Sequence, residues 1–121
     1  MAELVAYAKA NPGKKIGVIN FDGHFDIRSF EHGNHNGTPF RQILERKPKI
    51  DPSNFVEVGI HGFMNSSTYY KELLDQGSRI ITGREVEKRG MEDCVTEALE
   101  LAGKGTDLIY VSVDIDCLAY P

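Results

Sequence analysis

Short apolar runs rich in β-branched residues alternate along this chain with stretches of helical period. Residues 15–21, 55–60, 79–82 and 108–113 read as strands, and the near-continuous apolar character of the first implies a sheet covered on both faces. Residues 1–10 read as a helix with Leu4, Val5 and Ala8 on one face, stopped by Asn11-Pro12-Gly13. Thr38 as N-cap and Pro39 at the first helical position open a second helix to about Arg46. Residues 66–76 form a third, with Tyr69, Tyr70, Leu73 and Leu74 inward and Gly77 just past its end. Residues 91–102 are amphipathic through Met91, Val95, Ala98, Leu99 and Ala102, and stop at Gly103. Residues 29–37 have no periodicity and read as a loop, and 48–54 as a connection. Strands and helices alternating over such short links predict an α/β fold with a mainly parallel sheet and right-handed crossovers.

Composition narrows the setting. The chain has 121 residues, with 14 Lys and Arg against 18 Asp and Glu, a net charge of −4. That length suits one domain, so residues 1–121 are read as a single α/β unit. The mild acidity argues against nucleic acid, whose binders carry a basic face. No apolar run approaches the ~20 residues needed to cross a bilayer, and the first residues lack the pattern of a signal peptide, so no membrane partner is expected. Cys94 and Cys117 make no disulfide framework, and a reducing, cytoplasmic setting is the default.

The candidate chemistry lies in two acidic clusters. Asp22-Gly23-His24-Phe25-Asp26 follows the apolar run 16–19, and Ser112-Val113-Asp114-Ile115-Asp116 follows 108–111. Ligands of open parallel sheets gather outside the carboxyl ends of the strands. Four carboxylates and an imidazole converging there would repel one another unless cations lay between them. Alternation along an extended chain would send Asp22, His24 and Asp26 to one side, and likewise Asp114 and Asp116. Oxygen-rich ligation with a minority of imidazole suits Mn²⁺ or Mg²⁺. Two such ions about 3.5–4 Å apart can hold and deprotonate a water between them, making hydroxide near neutral pH. Either cluster alone reads equally well as a cap or turn. The pair, each just past a strand, favours metal.

These stretches resemble the signatures of the ureohydrolases, the binuclear manganese family that includes arginase, agmatinase and formimidoylglutamase. Residues 21–28 (FDGHFDIR) resemble the first motif, normally D-A-H-x-D, and 112–116 (SVDID) the second. Between them, 36–41 (NGTPFR) is most similar to formimidoylglutamase. The resemblance implies a three-layer α/β/α arginase-like sandwich, partial in this chain, and two Mn²⁺ ions per active site. It implies that Asp22 and Asp114 bridge the ions and hold the attacking hydroxide, that His24 and Asp116 complete one site, and that Asp26 contributes to the other. It places Arg28 where family members contact a substrate carboxylate, which suits the anionic amidine N-formimidoyl-L-glutamate and would repel the cation agmatine. It places Asn36 where arginase-like and agmatinase-like chains carry a proton-shuttling histidine before Gly-x-Pro. Asparagine does no acid–base work at neutral pH, so this departure also favours formimidoylglutamase.

Family members resemble one another as much longer chains, so this one is expected to be an internal fragment, inactive or nearly so alone. A further histidine ligand is expected upstream of Met1 and an acidic pair downstream of Pro121. The second motif usually continues to a third acidic residue, where Ala119 stands here. The whole protein is expected to form homo-oligomers, trimers or hexamers, and to use a small-molecule amidine in histidine breakdown. The alternatives are another ureohydrolase, agmatinase or a guanidino-acid hydrolase, and a non-catalytic truncated α/β module that self-associates through exposed edges. A metallophosphoesterase reading of D-G-H with Gly33-Asn34-His35 fails, because too few residues separate them for a crossover. His32, His35 and His61 read as loop or surface residues, and Arg41 as a helix-face residue. Cys94 reads as core, Tyr69 and Tyr70 as packing, and Cys117 as a side chain near the acidic cluster.

Overall fold

A computed structural model describes residues 2–27, 39–45, 50–61 and 67–118. Four strands, β1 (Ile16–Phe21), β2 (Phe55–Ile60), β3 (Arg79–Thr82) and β4 (Leu108–Val113), form one sheet in the order β3-β2-β1-β4, with every neighbouring pair parallel. The helices are α1 (Ala2–Ala10), α2 (Pro39–Glu45), α3 (Ser67–Asp75), α4 (Gly83–Arg89) and α5 (Met91–Gly103). One core lies between the sheet and α1–α3, built from Leu4, Ile16, Val18, Phe40, Phe55 and Leu73 among others. The opposite face packs Ile19, Val56, Val58 and Ile81 on Cys94, Ala98 and Ala102 of α5. The expected α/β layering is therefore present, with helices on both faces of a parallel sheet.

Several expected details change. Within α3, Leu73 is fully buried and Tyr69 partly so, whereas Tyr70 and Leu74 stand half-exposed at the rim. Residues 69 and 73 form one i, i+4 stripe, and 70 and 74 lie about 100° further round the helix. In α5 the inward stripe is Cys94, Ala98 and Ala102, leaving Met91 and Leu99 half-exposed. Small side chains face the sheet there because the helix backbone rests on β1. A Cβ added at Gly17 would fall 1.8 Å from the Ala102 carbonyl oxygen. Helix α4 is an element that hydrophobic periodicity does not show, since Gly-Arg-Glu-Val-Glu-Lys-Arg has no apolar stripe. Its signal is a cap: Thr82 accepts a hydrogen bond from the Glu85 N–H at 3.1 Å. Residues 52–54 add a 3-10 turn inside the expected connection, and β4 is exposed along much of its length, unlike a strand covered on both faces.

The order of the strands sets which strand ends adjoin. β1 lies between β2 and β4, with Phe21 in register with Val113, so the chain segments leaving β1 and β4 emerge side by side. The Asp114 N–H donates to the Phe21 carbonyl at 2.7 Å, and the Asp22 N–H to the Val58 carbonyl at 3.0 Å.

Candidate metal centre

Beyond Phe21 the chain turns out of the sheet. The buried Asp22 carboxylate accepts from the His24 N–H at 2.8 Å, closing a tight turn that brings residues 22 and 24 together. Alternation along a strand does not gather these groups; a side-chain-capped turn does. Asp26 follows with φ at 56°, a left-handed conformation. On the neighbouring segment, Asp114 caps a 3-10 turn, Ile115–Cys117, by accepting from the Asp116 N–H at 3.0 Å. That turn carries the Asp116 carboxylate across to β1's segment, where it accepts from the Gly23 N–H at 2.9 Å.

Asp22, His24 and Asp116 each offer one ligand atom, and these atoms lie within 4.8 Å of one another. His24 Nδ1 stands 2.8 Å from Asp116 Oδ2 and 3.5 Å from Asp22 Oδ1. Asp26 lies close enough to Asp22 for the two carboxyls to shift each other's proton affinity. Asp114 stands at the edge of this group, its carboxylate turned to the backbone of its own turn. Arg28 and Asn36 lie outside the described residues, as do His32, His35 and Ala119.

The electrostatics are those of crowded carboxylates with one imidazole among them. Burial pushes the Asp26 carboxyl up to about 8, with the charges of Asp22, Asp114 and Asp116 adding to the effect. Burial also raises Asp22, against the His24 N–H that stabilises its charge. Burial works in the same direction on Asp116, but the Gly23 N–H, the hydrogen bond with Asp22 and the nearby His24 outweigh it, and its carboxyl sits below the usual range. A divalent cation placed among these oxygens would offset their mutual repulsion. A donor set of oxygens plus one imidazole nitrogen fits Mn²⁺.

Two residues that pattern reading passes over belong to this neighbourhood. His61, the first residue after β2, donates from Nε2 to the Asp116 carbonyl at 2.7 Å, and its own N–H donates to the Gly23 carbonyl at 3.3 Å. Gly23 permits that approach, since a Cβ there would stand 2.9 Å from His61 Nε2. The signal in the sequence is its place at a strand's carboxyl end, which singles out Asp22 and Asp114 too. Glu57 is the second. It is fully buried in β2 opposite Asn20 of β1, whose Nδ2 donates to Glu57 Oε2 at 2.9 Å and reaches Asp22 Oδ2 at 3.5 Å. Asn20 Oδ1 and Glu57 Oε1 have no hydrogen-bond partner among the described residues. Burial pushes the Glu57 carboxyl well above its usual range.

Arg41 differs from a plain helix-face residue: it is buried, with both Nη atoms on Glu72 at 2.9 Å. Cys94 is core as expected, and Cys117 packs its Cβ close to Gly59, where β2 breaks register with β3.

Residues 1–120 match the Arginase family. A formimidoylglutamase of Halalkalibacterium halodurans is 41% identical over 104 residues, which cover 85% of this chain and 32% of that protein. The crystal structure of formimidoylglutamase from Bacillus subtilis superimposes with a TM-score of 0.83 at 32% identity, covering 93% of this chain and 35% of that one. The Trypanosoma cruzi formiminoglutamase structure with Mn²⁺ superimposes at 0.77 and 34% identity, covering 92% and 36%. The chain thus spans about a third of the length of the relatives it matches.

Proposed function

This chain belongs to the arginase family, and on that premise we propose that it supplies the metal-binding part of a manganese-dependent amidine hydrolase acting on N-formimidoyl-L-glutamate. Water would convert that substrate to L-glutamate and formamide, a step of histidine breakdown. The observation that carries the reading is the meeting of Asp22, His24 and Asp116 from two neighbouring strand ends. The names of the relatives, formimidoylglutamase in bacteria and formiminoglutamase in a trypanosome, support the substrate.

Asp22, His24, Asp26, Asp114 and Asp116 would hold two Mn²⁺ ions. The metal, when bound, supplies Lewis acidity and a water acidic enough to be a nucleophile near neutral pH. The chain's own groups prepare that site. To serve as ligands, the Asp26 carboxyl and a His24 ring nitrogen would have to bind in their proton-free forms. The Gly23 and His24 N–H groups keep the Asp116 and Asp22 carboxylates in place. Arg28 would pair with a substrate carboxylate, and Asn36 would line the substrate side without moving protons. We place this work in the cytoplasm, where Cys94 and Cys117 remain thiols, and in a homo-oligomer.

Two experiments test the reading. Calorimetric titration of the purified chain with Mn²⁺ should show binding that Asp22→Ala and Asp114→Ala both abolish; no binding by a folded chain removes the metal assignment. A chimera carrying residues 1–118 in place of the matching third of the Bacillus subtilis enzyme should release formamide from N-formimidoyl-L-glutamate. Urea from agmatine or arginine, with no formamide, would make the substrate assignment wrong.

A further inference from the structure

Arg41 is a charged side chain buried in α2. Its side chain is 10% exposed, and its guanidinium meets Glu72 through a two-pronged contact of 2.9 Å each, meets Glu45, and stands 5.5 Å from the centre of the Tyr69 ring. Replacing such buried ion pairs by well-packed apolar side chains is often neutral or stabilising. What a leucine or methionine could not do is donate a hydrogen bond. Arg41 Nε donates to the Ile27 carbonyl. One residue earlier in α2, the Phe40 N–H donates to the Asp26 carbonyl at 3.1 Å, while its ring packs 5.4 Å from that of Phe55. Two successive residues of α2 therefore hold two successive carbonyls, those of residues 26 and 27.

The residue held there is conformationally unusual. Asp26 is the non-glycine residue with positive φ among those described. Left-handed backbone is disfavoured for a residue with a Cβ and persists where surrounding contacts over-determine it. Phe40, Arg41, the buried Ile27 and the Glu72 fork are such contacts. Asp26 takes this conformation just past the turn that Asp22 closes on the His24 N–H, and its carboxyl interacts with that of Asp22.

We infer that Arg41 is a positioning residue for the metal centre: by anchoring the Ile27 carbonyl to α2 and α3 it holds Asp26 in the left-handed conformation that turns its carboxyl toward Asp22. Glu72, from α3, orients the guanidinium for that task. This rests on the reading of Asp26 as a metal ligand.

The test joins a metal-free readout to a metal-dependent one. In the isotope-labelled, metal-free chain, the strong intraresidue amide–Hα nuclear Overhauser effect of a positive φ reports the Asp26 backbone. Calorimetry then gives the Mn²⁺ affinity of the same samples. Arg41→Met should lose the Asp26 signature and weaken Mn²⁺ by about 10–100-fold, the usual size for a group that supports a metal ligand from behind. Arg41→Lys, which keeps a donor but not the fork, should recover part of both, and Glu72→Gln should fall between it and wild type. Arg79→Met is the control. Arg79 carries ion pairs of the same kind to Glu85 and Glu97 on the other side of the sheet, and its loss should leave both readouts unchanged. A folded Arg41→Met chain that keeps the Asp26 signature, or loses it with wild-type affinity, overturns the inference. If Arg41→Met does not fold, the lysine and Glu72→Gln variants decide, and wild-type values in both overturn it. A wild-type chain that binds no Mn²⁺ overturns the metal reading itself, and the Asp26 signal then shows separately whether Arg41 sets that backbone.

Discussion

Glu57 shows how one proton can organise a buried site. A carboxylate with no exposed surface, near the acidic Asp22, is costly unless it is neutral, and burial raises its carboxyl accordingly. The sign of the effect on stability follows from linkage. A carboxyl raised above its unfolded value of 4.5 binds its proton more tightly in the folded chain, so its contribution is complete below about pH 4.5. It is then lost as pH rises toward the folded value. Glutamine has the shape of the neutral acid and bears no titrating proton, so Glu57→Gln should flatten the decline in stability as pH rises above about 4.5. It should also stabilise the chain at pH 7, because wild-type Glu57 there bears the cost of holding its proton and glutamine does not. Urea unfolding across that pH range measures it, and a variant as pH-sensitive as wild type would show that Glu57 is not the source. At this scale the candidate ligands Asp22, His24 and Asp116 stand out in the sequence, because Asp and His just beyond apolar strands are unusual chemistry. Glu57, Arg41 and His61 are hidden there, since their roles depend on neighbours 37, 31 and 55 positions away.

Elements are legible in proportion to their apolar pattern. The spans of β2, β3 and β4 coincide with those read from sequence, because β-branched runs bounded by polar turns admit few alternatives. Helix α4 has no such stripe and is held by its Thr82 cap and by Arg89, which pairs with Glu85, Asp93 and Glu97 across α4 and α5. The inward face of α5 departs from expectation for a related reason: pattern reading favours large apolar side chains, while the helix sits so close to β1 that only small ones fit. Gly17→Ala tests that closeness. With a Cβ 1.8 Å from the Ala102 carbonyl oxygen, backbone must move. The variant should lose about 1–3 kcal/mol or more, the usual range for overpacking. Thermal unfolding would show it, and a loss near zero would mean that α5 can lift off without cost.

Among the described residues, the sheet has two edges, β3 and β4. β3 closes one edge with a short strand of four residues, whereas β4 is a six-residue edge strand whose Val113 is 68% exposed, continuing into Ile115 and Leu118. A long apolar edge is a template for pairing with another chain. The purified chain should therefore associate as its concentration rises, and Val113→Lys should shift it toward monomer in sedimentation velocity. Equal association by both proteins would place the contact elsewhere.

The order of the strands explains why the clusters meet. Two acidic motifs separated by about 90 residues can be recognised singly from their composition, and their position after apolar runs fixes the end of the sheet at which they lie. Local sequence could establish that much, because strand propensity and turn chemistry act over a few residues. It could not establish that β4 pairs with β1, which brings Asp116 within reach of the Gly23 N–H, nor that α2 and α3 grip the backbone at Asp26. Those contacts arise from long-range pairing and burial, in which each group's partner is set by packing of the whole chain rather than by its neighbours in sequence.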